Sequence, residues 1–567
     1  MGLILRSVSF NVNGDPAVGS LHCRKDGETP IYPVSGLKDG KIHSVGVFVP
    51  RVLGVNINIS IEVENTEDQI INAVVKASEV TAPLLFGDVN FLMTPCPPKS
   101  ITKLSAVINT VYFKGMTDEI RFFEHRWKWT YTGNDLCSHD LTETTEDIYI
   151  IGGVPLLPWD VSVQAYSTDN INYIWTSLLD ICCQASYQFN QMYGRYPNTP
   201  EEYISMFTWE LNANFVFSYD TRAGGSYYTL NWNTIKLQKY INDRSRYVGN
   251  KLNCYDCASL IQIECLACGV NAANVIMQGN GPAGGYFDTN PIIAIGYTDW
   301  AIPFSGPGKH GGFAYHAVAT IDPNRNQNTK IWDACLKLDA GDYPGLMPGV
   351  VTPSNTKNPQ VALGKIFAET GNDVVNVPPN IPYTGDFYRE RLVCHGWNCN
   401  IQNMTLKIAY IDIAKTLQNK TIMKKNEWIE NVKKRFGLEK NPLSKRVTNS
   451  EQNQQKFLSD FLLSKGCRLM EDYERNQVYE WQSEGAVFRV EFIVSLDEEE
   501  AYNHLLNLLA CIANPNVVPA NVGDLSFRID DIYYVFIKNN ILVRVSNETE
   551  ESDASAENIA HIICNSL

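Results

Sequence analysis

"KLNCYDCASLIQIECLACGVNA", residues 251–272, holds four cysteines at a spacing that can belong to a metal site or to a buried helix. They are Cys254, Cys257, Cys265 and Cys268. The C-x2-C-x7-C-x2-C pattern has the two pairs of a zinc site, but its gap is roughly half that of a zinc ribbon. No Gly or Pro lies between Cys254 and Cys268, so a zinc or iron–sulfur site is the less favoured interpretation.

The segment from Cys257 onward predicts a buried helix. Its apolar and cysteine positions recur at i, i+4, i+8 and i+11, which is one continuous helix face, and Gly269 follows as a C-cap. The last three cysteines are therefore expected to be structural thiols. Cys254 differs because it falls just before or within the first turn, where unpaired N–H groups and the helix dipole favour a thiolate. Such a sulfur becomes a nucleophile if an imidazole reaches it.

A histidine and an aspartate later in the chain can supply that imidazole and its support. His316 lies in "GGFAYHAVATI" and Asp333 in "KIWDACLKL", two strand-like runs separated by the polar stretch 322–329, which predicts an antiparallel hairpin. Facing residues of a hairpin have numbers with a constant sum, and this pair centres on about 324.5, within the turn. The two side chains should therefore lie opposite or nearly opposite one another.

These segments resemble the transglutaminase-like superfamily of papain-like Cys-His-Asp thiol enzymes, over about residues 165–345. Cys254, Asp256 and Ala258 match its Cys-x-Asp-x-Ala motif, and "GVNAANVIMQG" matches the turn and strand that follow. "YHAVATIDPNRNQNTKIWDACLKLD" is similar to its His strand and Trp-Asp strand. The sequence departs from the pattern at Tyr255, where tryptophan is usual, and at Cys257, where an aromatic residue is usual; these departures leave the substrate class open.

The resemblance implies a thioester mechanism on protein or peptide amides, by a cysteine protease, a deamidase or a transglutaminase. Cys254 would be the nucleophile, His316 the base and Asp333 the residue that orients the imidazole. Trp232 is the candidate oxyanion donor, because the family often uses an upstream tryptophan. No cofactor and no metal ion is expected.

The composition limits the partners and the compartment. The 567 residues carry a net charge of −15 and a pI of about 5.2, without a basic block, which argues against nucleic acid and membrane surfaces as partners. The N-terminus turns polar after five residues, unlike a secretory signal. The 15 cysteines do not form a dense framework, so reduced thiols in the cytoplasm are expected.

The fold expected is α+β in several domains. Short alternating runs predict an antiparallel β-sandwich over 1–150. A catalytic domain over 151–345, a Pro- and Gly-rich wrapping loop or linker over 346–400, and an α+β module over 401–567 would follow. The first or last domain would carry any protein partner.

Two other interpretations stay open. In one, the chain is a scaffold or binding protein with an inactive transglutaminase-like core, which would be favoured if Cys254 were buried far from His316. In the other, "CHGWNC" supplies Cys394, His395 and Cys399 to a metal, although a fourth ligand is missing from that cluster.

Overall fold

The chain folds into two compact units, and the computed structural model describes most of both. The units are Met1–Glu210 with Gln262–Ala272, and Leu211–Ile261 with Ala273–Leu567. The described residues are 2–11, 19–24, 35–38, 40–53, 56–81, 85–109, 116, 119–156, 158–159, 173–213, 216–230, 234–245, 250–279, 292–296, 298–300, 303–305, 309, 312–321, 330–338, 361–362, 397–402, 407–408, 427–438, 440–443, 451–473, 475–483, 485–549, 552 and 554–567.

The first unit begins with the predicted β-sandwich. Its strands are β1 Leu3–Phe10, β2 Cys23–Arg24, β3 Ser35–Lys38, β4 Lys41–Phe48, β5 Asn56–Asn65, β6 Ile71–Glu79, β7 Val89–Asn90, β8 Thr94–Cys96, β9 Ser100–Asn109, β10 Arg121–Thr132, β11 Ser138–Ile150 and β12 Ile174–Trp175. One sheet has the order β1-β5-β9, and the other has the order β3-β4-β11-β10-β6-β7, with β8 on β6. Neighbours in these two sheets are antiparallel except β4 and β11, which run parallel.

Alternation along the strands forms the sandwich core. In β5, Ile57, Ile59, Ile61 and Val63 are at most 1% exposed, while the residues between them are mostly polar. These side chains share one apolar cluster with Trp127 and others from the second sheet. The helices α1 Thr176–Tyr193 and α2 Pro200–Ala213 follow, and the Thr199 hydroxyl accepts the Glu202 N–H at the start of α2, as the sequence predicts.

The second unit contains the remaining elements. They are β13 Phe217–Tyr219, β14 Thr229–Leu230, β15 Thr234–Ile235, α3 Leu237–Arg244, β16 Asn250–Leu252, α4 Cys254–Ala267 (which ends in the first unit), β17 Ala273–Gly279, β18 Ile292–Ala294, β19 Thr298–Trp300, β20 His316–Thr320, β21 Lys330–Ile331, β22 Leu336–Leu338, β23 Val361–Ala362, β24 Trp397–Gln402, β25 Lys407–Ile408, α5 Glu427–Phe436, α6 Glu451–Ser464, β26 Arg468–Tyr473, β27 Asn476–Ser483, β28 Ala486–Val494, α7 Glu498–Ala510, β29 Val518–Pro519, β30 Leu525–Ile529, β31 Tyr533–Lys538, β32 Ile541–Asn547 and α8 Ala556–Ser566.

The C-terminal part of this unit is an antiparallel sheet with helices. Its order is β26-β27-β28-β32-β31-β30-β29, and the turn predicted at Asn539 and Asn540 joins β31 to β32, with Lys538 paired to Ile541. The α+β class expected from the sequence is thereby confirmed. The domain borders at 150, 345 and 400 stay predictions, and most of the linker 346–400 lies outside the described residues. Among the helices that the structure describes, none has the length and apolarity to cross a membrane.

A buried charge cluster joins the C-terminal sheet to the rest of the second unit. Lys236 donates to Glu491 at 2.8 Å, and Arg544 lies 2.6 Å from the same carboxylate. Glu471 pairs with Arg489 at 2.8 Å and with Lys239 at 3.2 Å. Because each charge has an opposite partner, the cluster is tolerated in the interior, and removing one member leaves the others uncompensated.

The pH dependence of stability should reveal this cluster. Burial alone would raise the pKa of Glu471, but Arg489, Lys236 and Lys239 outweigh it and hold the pKa at about 2, below the ordinary value of 4.5. Because the folded pKa is depressed, the stabilisation is complete above about pH 4.5 and is lost as the pH falls towards about 2. It amounts to about 3 kcal/mol. Glu471→Gln should therefore destabilise the protein at pH 7 and much less at pH 3, measured by urea unfolding.

The matched control for this prediction is Glu480→Gln, which changes a partly exposed glutamate on the neighbouring strand β27. It should alter the unfolding midpoint little at either pH. A Glu471→Gln effect of the same size at both pH values would contradict the charge argument.

Candidate active site

The first residue of α4 is Cys254, as the sequence predicts, and Asn253 caps the helix in front of it. The Asn253 Oδ1 atom accepts the backbone N–H groups of Tyr255 and Asp256, both at 3.0 Å. This is the usual N-cap arrangement, and it fixes the backbone at the nucleophile. The helix is buried on every face and not only along the predicted stripe, because its polar residues are buried as well as its cysteines.

The C-terminal module contributes to this cap. The Asn253 side-chain amide donates to the Cys511 carbonyl at 2.6 Å and to the Gly224 carbonyl at 2.9 Å. Next to the histidine strand, the Ala314 N–H donates to the Ala513 carbonyl at 2.8 Å. Residues after α7 therefore hold both the start of the cysteine helix and the approach to His316.

The aspartate in the first turn of α4 stabilises the neighbouring loop. Asp256 is fully buried, and its carboxylate accepts the Ser226 hydroxyl at 2.6 Å and the backbone N–H groups of Tyr227, Tyr228 and Thr229 at 2.8 to 3.0 Å. One carboxylate thus fixes a whole loop against the first turn of the helix. Burial raises the pKa of Asp256, and these donors oppose that rise.

His316 and Asp333 meet as the hairpin argument predicts. His316 begins β20, and an antiparallel bridge pairs Ala319 with Trp332. That register places Asp333 diagonally from His316 on the same face, and the His316 Nε2 atom lies 2.6 Å from Asp333 Oδ2. The imidazole is therefore held by a carboxylate, with Nε2–H as the donor.

The thiol of Cys254 lies beside this imidazole. Burial would lower the pKa of His316, but the Asp333 carboxylate and the adjacent Cys254 side chain outweigh burial and raise the pKa to about 9. Because Nε2 faces Asp333, Nδ1 is the atom left for the sulfur. The structure thus brings Cys254, His316 and Asp333 together in the order thiol, imidazole, carboxylate.

Tyr219, at the end of β13, is a site residue that the sequence analysis missed. Its side chain lies beside Cys254, and burial together with the thiol raises the pKa of this phenol well above its ordinary value. In the short run "FSY", Phe217 and Tyr219 lie on one face, and this pattern predicts two core residues without a special role. Only the three-dimensional structure shows that one of the two faces the nucleophile.

Cys335 is the second missed residue. Its backbone N–H and its thiol both contact Asp333 Oδ1, at 2.8 and 3.0 Å. The Cys335 thiol lies near the thiol of Cys257, one turn along α4 from Cys254, and burial raises the pKa of both thiols. Asp333 therefore has one oxygen on the imidazole and the other on Cys335.

The site is closed in this structure. Cys254 and His316 are 0% exposed and Asp333 is 2% exposed. A substrate can reach the sulfur only after a rearrangement of the residues that cover it, which include Tyr219. The other predicted structural thiols, Cys265 and Cys268, are buried and outside any disulfide, as predicted.

Some predicted positions lie outside the described residues. Trp232, the expected oxyanion donor, is one of them, and so are Cys394 and His395 of the alternative metal cluster. Cys399 falls within the bounds of β24, but its side chain is not among the described groups. The oxyanion role of Trp232 and the metal interpretation of 394–399 stay predictions.

Comparison with known proteins adds little information about the function of this site. No family model matches the sequence, and no curated protein matches it. Among solved structures, the chain is similar to the transglutaminase of red sea bream, at 7% sequence identity, with 86% of this chain and 74% of that chain covered and a TM-score of 0.27. A TM-score of that size carries no argument about activity. The assignment of function therefore rests on the site.

Replacing the motif aspartate should unfold the site. Asp256→Asn turns one acceptor oxygen into a donor that faces N–H groups, and we expect a loss of at least about 3 kcal/mol of unfolding free energy. Urea unfolding measures it. Asp472→Asn, which changes an exposed aspartate of the same unit, is the control and should cost about 0.5 kcal/mol or less. Equal effects of the two variants would contradict the role given to Asp256.

Proposed function

We propose that this protein is a thiol enzyme that transfers or hydrolyses acyl groups of protein or peptide amides. The observation that carries the proposal is the 2.6 Å hydrogen bond between the His316 imidazole and the Asp333 carboxylate, with the Cys254 thiol beside the same imidazole. An imidazole between a sulfur and a carboxylate is the arrangement that activates a cysteine nucleophile. The weak transglutaminase likeness and the sequence motifs agree with it but do not carry it.

The proposed reaction has two halves. His316, whose raised pKa favours its protonated form, holds the proton taken from the Cys254 thiol, and the sulfur attacks the amide carbonyl carbon as a thiolate. The C–N bond then breaks as His316 gives that proton to the departing nitrogen. Ammonia or an amine leaves, and a thioester on Cys254 remains. Asp333 holds the imidazole in orientation and favours its protonated form. Water or a second amine then attacks the thioester and releases Cys254.

The oxyanion of the first step needs at least two donors. The backbone N–H of Cys254 is the first N–H of α4, where helix N–H groups have no partner within the helix. We assign the second donor to the Tyr219 hydroxyl, which contacts the thiol. Trp232 is the other candidate for this role.

A catalytically inactive scaffold is the second candidate function. The near-complete burial of Cys254 and His316 favours it, because a substrate cannot touch the sulfur in this conformation. Their mutual contact opposes it, since a pure scaffold has no need to place an imidazole between a thiol and a carboxylate. The proposal therefore includes an opening of the site before reaction.

Protein or peptide substrates in the cytoplasm fit this proposal. Among the described cysteines no disulfide occurs, and a thiol enzyme works only with its nucleophile reduced. Hydrolysis would make the protein a protease or deamidase, and transfer to a lysine amine would make it a crosslinking enzyme.

The reactivity of Cys254 should depend on its imidazole. Iodoacetamide at neutral pH should label Cys254 of the wild type, and His316→Ala should slow this labelling by about 10²-fold or more, because the base is gone. Mass spectrometry of the peptides measures both rates. Cys137 is exposed and serves as the internal reference, since its rate should not change. Slow labelling of Cys254 that is equal in both proteins would favour the scaffold.

A proteome treated with wild type and with Cys254→Ala should identify the reaction. Loss of ammonia between glutamine and lysine would indicate crosslinking, conversion of glutamine to glutamate would indicate deamidation, and new termini would indicate proteolysis. Each change must be absent with Cys254→Ala. If both proteins leave the proteome unchanged, the proposed activity is wrong.

Tyr219→Phe tests the oxyanion assignment. The ring still fills its space, so the fold should persist, while loss of the hydroxyl should lower kcat about 10²-fold with little change in KM. The measurement uses the peptide identified in the proteome experiment. An unchanged kcat would return the role to Trp232.

A further inference from the structure

The Asp333 side of the imidazole holds more ligand atoms than the proposed reaction uses. A nitrogen of His316, a carboxylate oxygen of Asp333 and the sulfur of Cys335 all lie within 4.8 Å of one another, and all three residues are buried. The thiol of Cys257 lies near that of Cys335, outside this group of three, and is the nearest further donor. The mechanism assigns chemistry to His316 and Asp333 but none to the two thiols.

We propose that His316, Asp333, Cys335 and Cys257 form a binding site for a thiophilic divalent cation, with Zn²⁺ as the best fit. Zinc accepts thiolate, imidazole and carboxylate ligands, and four of them complete the tetrahedral geometry that it prefers. The sulfur ligands argue against Ca²⁺ and Mg²⁺, which prefer oxygen ligands.

The geometry is close to what zinc requires. Zn–S bonds of about 2.3 Å and Zn–N or Zn–O bonds of about 2.0 to 2.2 Å place tetrahedral ligands about 3.3 to 3.8 Å apart. The three atoms that lie within 4.8 Å of one another need shifts of about 1 Å to reach those separations, and the Cys257 sulfur has to move in as the fourth ligand. Asp333 and Cys335 are two residues apart, and the Asp333 carboxylate already contacts both the histidine and the cysteine.

The four-cysteine pattern of the sequence does not describe this site. Of those cysteines only Cys257 belongs to it, and Cys254 does not, because the nucleophile adjoins the imidazole while Cys335 adjoins the carboxylate. Cys335 comes from the segment after β21, so the donors come from three separate stretches of chain. That is why the spacing within 251–272 gives no signal for it.

Cation binding would regulate the proposed enzyme, and this part of the inference rests on the proposed function. The cation takes the Nε2 lone pair, so the imidazole proton resides on Nδ1, the atom beside Cys254. An Nδ1–H group cannot accept the thiol proton, and the Nε2–H···Oδ2 hydrogen bond is replaced by metal bonds. Binding releases the thiol protons of Cys257 and Cys335 and leaves Cys254 uncoordinated.

Cobalt titration of the reduced, metal-free full chain tests the binding directly. One Co²⁺ per chain should give tetrahedral d–d bands and a sulfur-to-cobalt charge-transfer band of the intensity expected for two thiolates, and Zn²⁺ should displace it. X-ray absorption of the zinc-loaded wild type should show sulfur at about 2.3 Å and lighter ligands at about 2.0 to 2.2 Å. Absence of a tetrahedral spectrum, or a spectrum without thiolate, would overturn the proposal.

Variants then assign the ligands. Cys335→Ser and Cys257→Ser should each weaken binding by more than about tenfold and halve the charge-transfer intensity. Cys254→Ala should leave both unchanged, and so should Cys265→Ala, the matched control at a buried cysteine of the same helix. If Cys335→Ser does not fold, the wild-type absorption data still decide. Loss of binding in Cys254→Ala with retention in Cys335→Ser would overturn the ligand set.

Failure of this inference and failure of the proposed function are separable. A two-thiolate cobalt spectrum with an inert Cys254 would support the metal site and contradict the enzyme. Rapid His316-dependent alkylation of Cys254, unaffected by Zn²⁺ and without a cobalt spectrum, would support the enzyme and contradict the metal site. If both hold, Zn²⁺ should slow the alkylation at least about tenfold, and a chelator should restore it.

Discussion

The candidate active site depends on the hydrogen bond of 2.6 Å between His316 Nε2 and Asp333 Oδ2. It fixes the tautomer of a fully buried imidazole and points the other nitrogen towards Cys254. It also compensates the burial of a carboxylate that would otherwise be costly. The proposed chemistry, the raised pKa of His316 and the proposed metal site all follow from where this one pair lies.

The second unit is built so that this pair and the cysteine stay aligned. Asn253 caps α4, and its side-chain amide donates hydrogen bonds to the carbonyls of Gly224 and Cys511. Asp256 accepts hydrogen bonds from the loop 226–229 at the same helix turn. Arg544, from β32, donates to the Ser226 carbonyl at 2.9 Å and also pairs with Glu491. The C-terminal module is therefore part of the framework of the site and not a separate appendage.

Local sequence patterns predicted the parts that depend on short-range physics. Alternation in β5, the cap before α2, the start of α4 at Cys254 and the Asn539–Asn540 turn each follow from residue type and spacing. The rule that facing hairpin residues have a constant sum of residue numbers predicted that His316 and Asp333 share one face. It did not predict that "KIWDACLKL" divides into two strands, β21 and β22. The break occurs because Asp333 Oδ1 accepts the N–H of Cys335, two residues on, which turns the chain.

Long-range placement explains what the sequence could not provide. Tyr219 lies 35 positions before Cys254, in a three-residue strand that looks like core, and Cys335 looks like filler after a tryptophan and an aspartate. Neither residue type is unusual in such a place, so only tertiary contact identifies them. The sequence also did not predict that α4 is buried on every face, because acidic residues in a helix usually indicate an exposed face.

Acylation by p-nitrophenyl acetate tests the central claim most directly, since it needs no knowledge of the natural substrate. If Cys254 is an activated nucleophile, the wild type should release a burst of one nitrophenolate per chain, and peptide mass spectrometry should find the acetyl group on Cys254. The variant Asp333→Asn should give no burst. A reaction without a burst, with acetyl groups scattered over lysines and equal in both proteins, would contradict it.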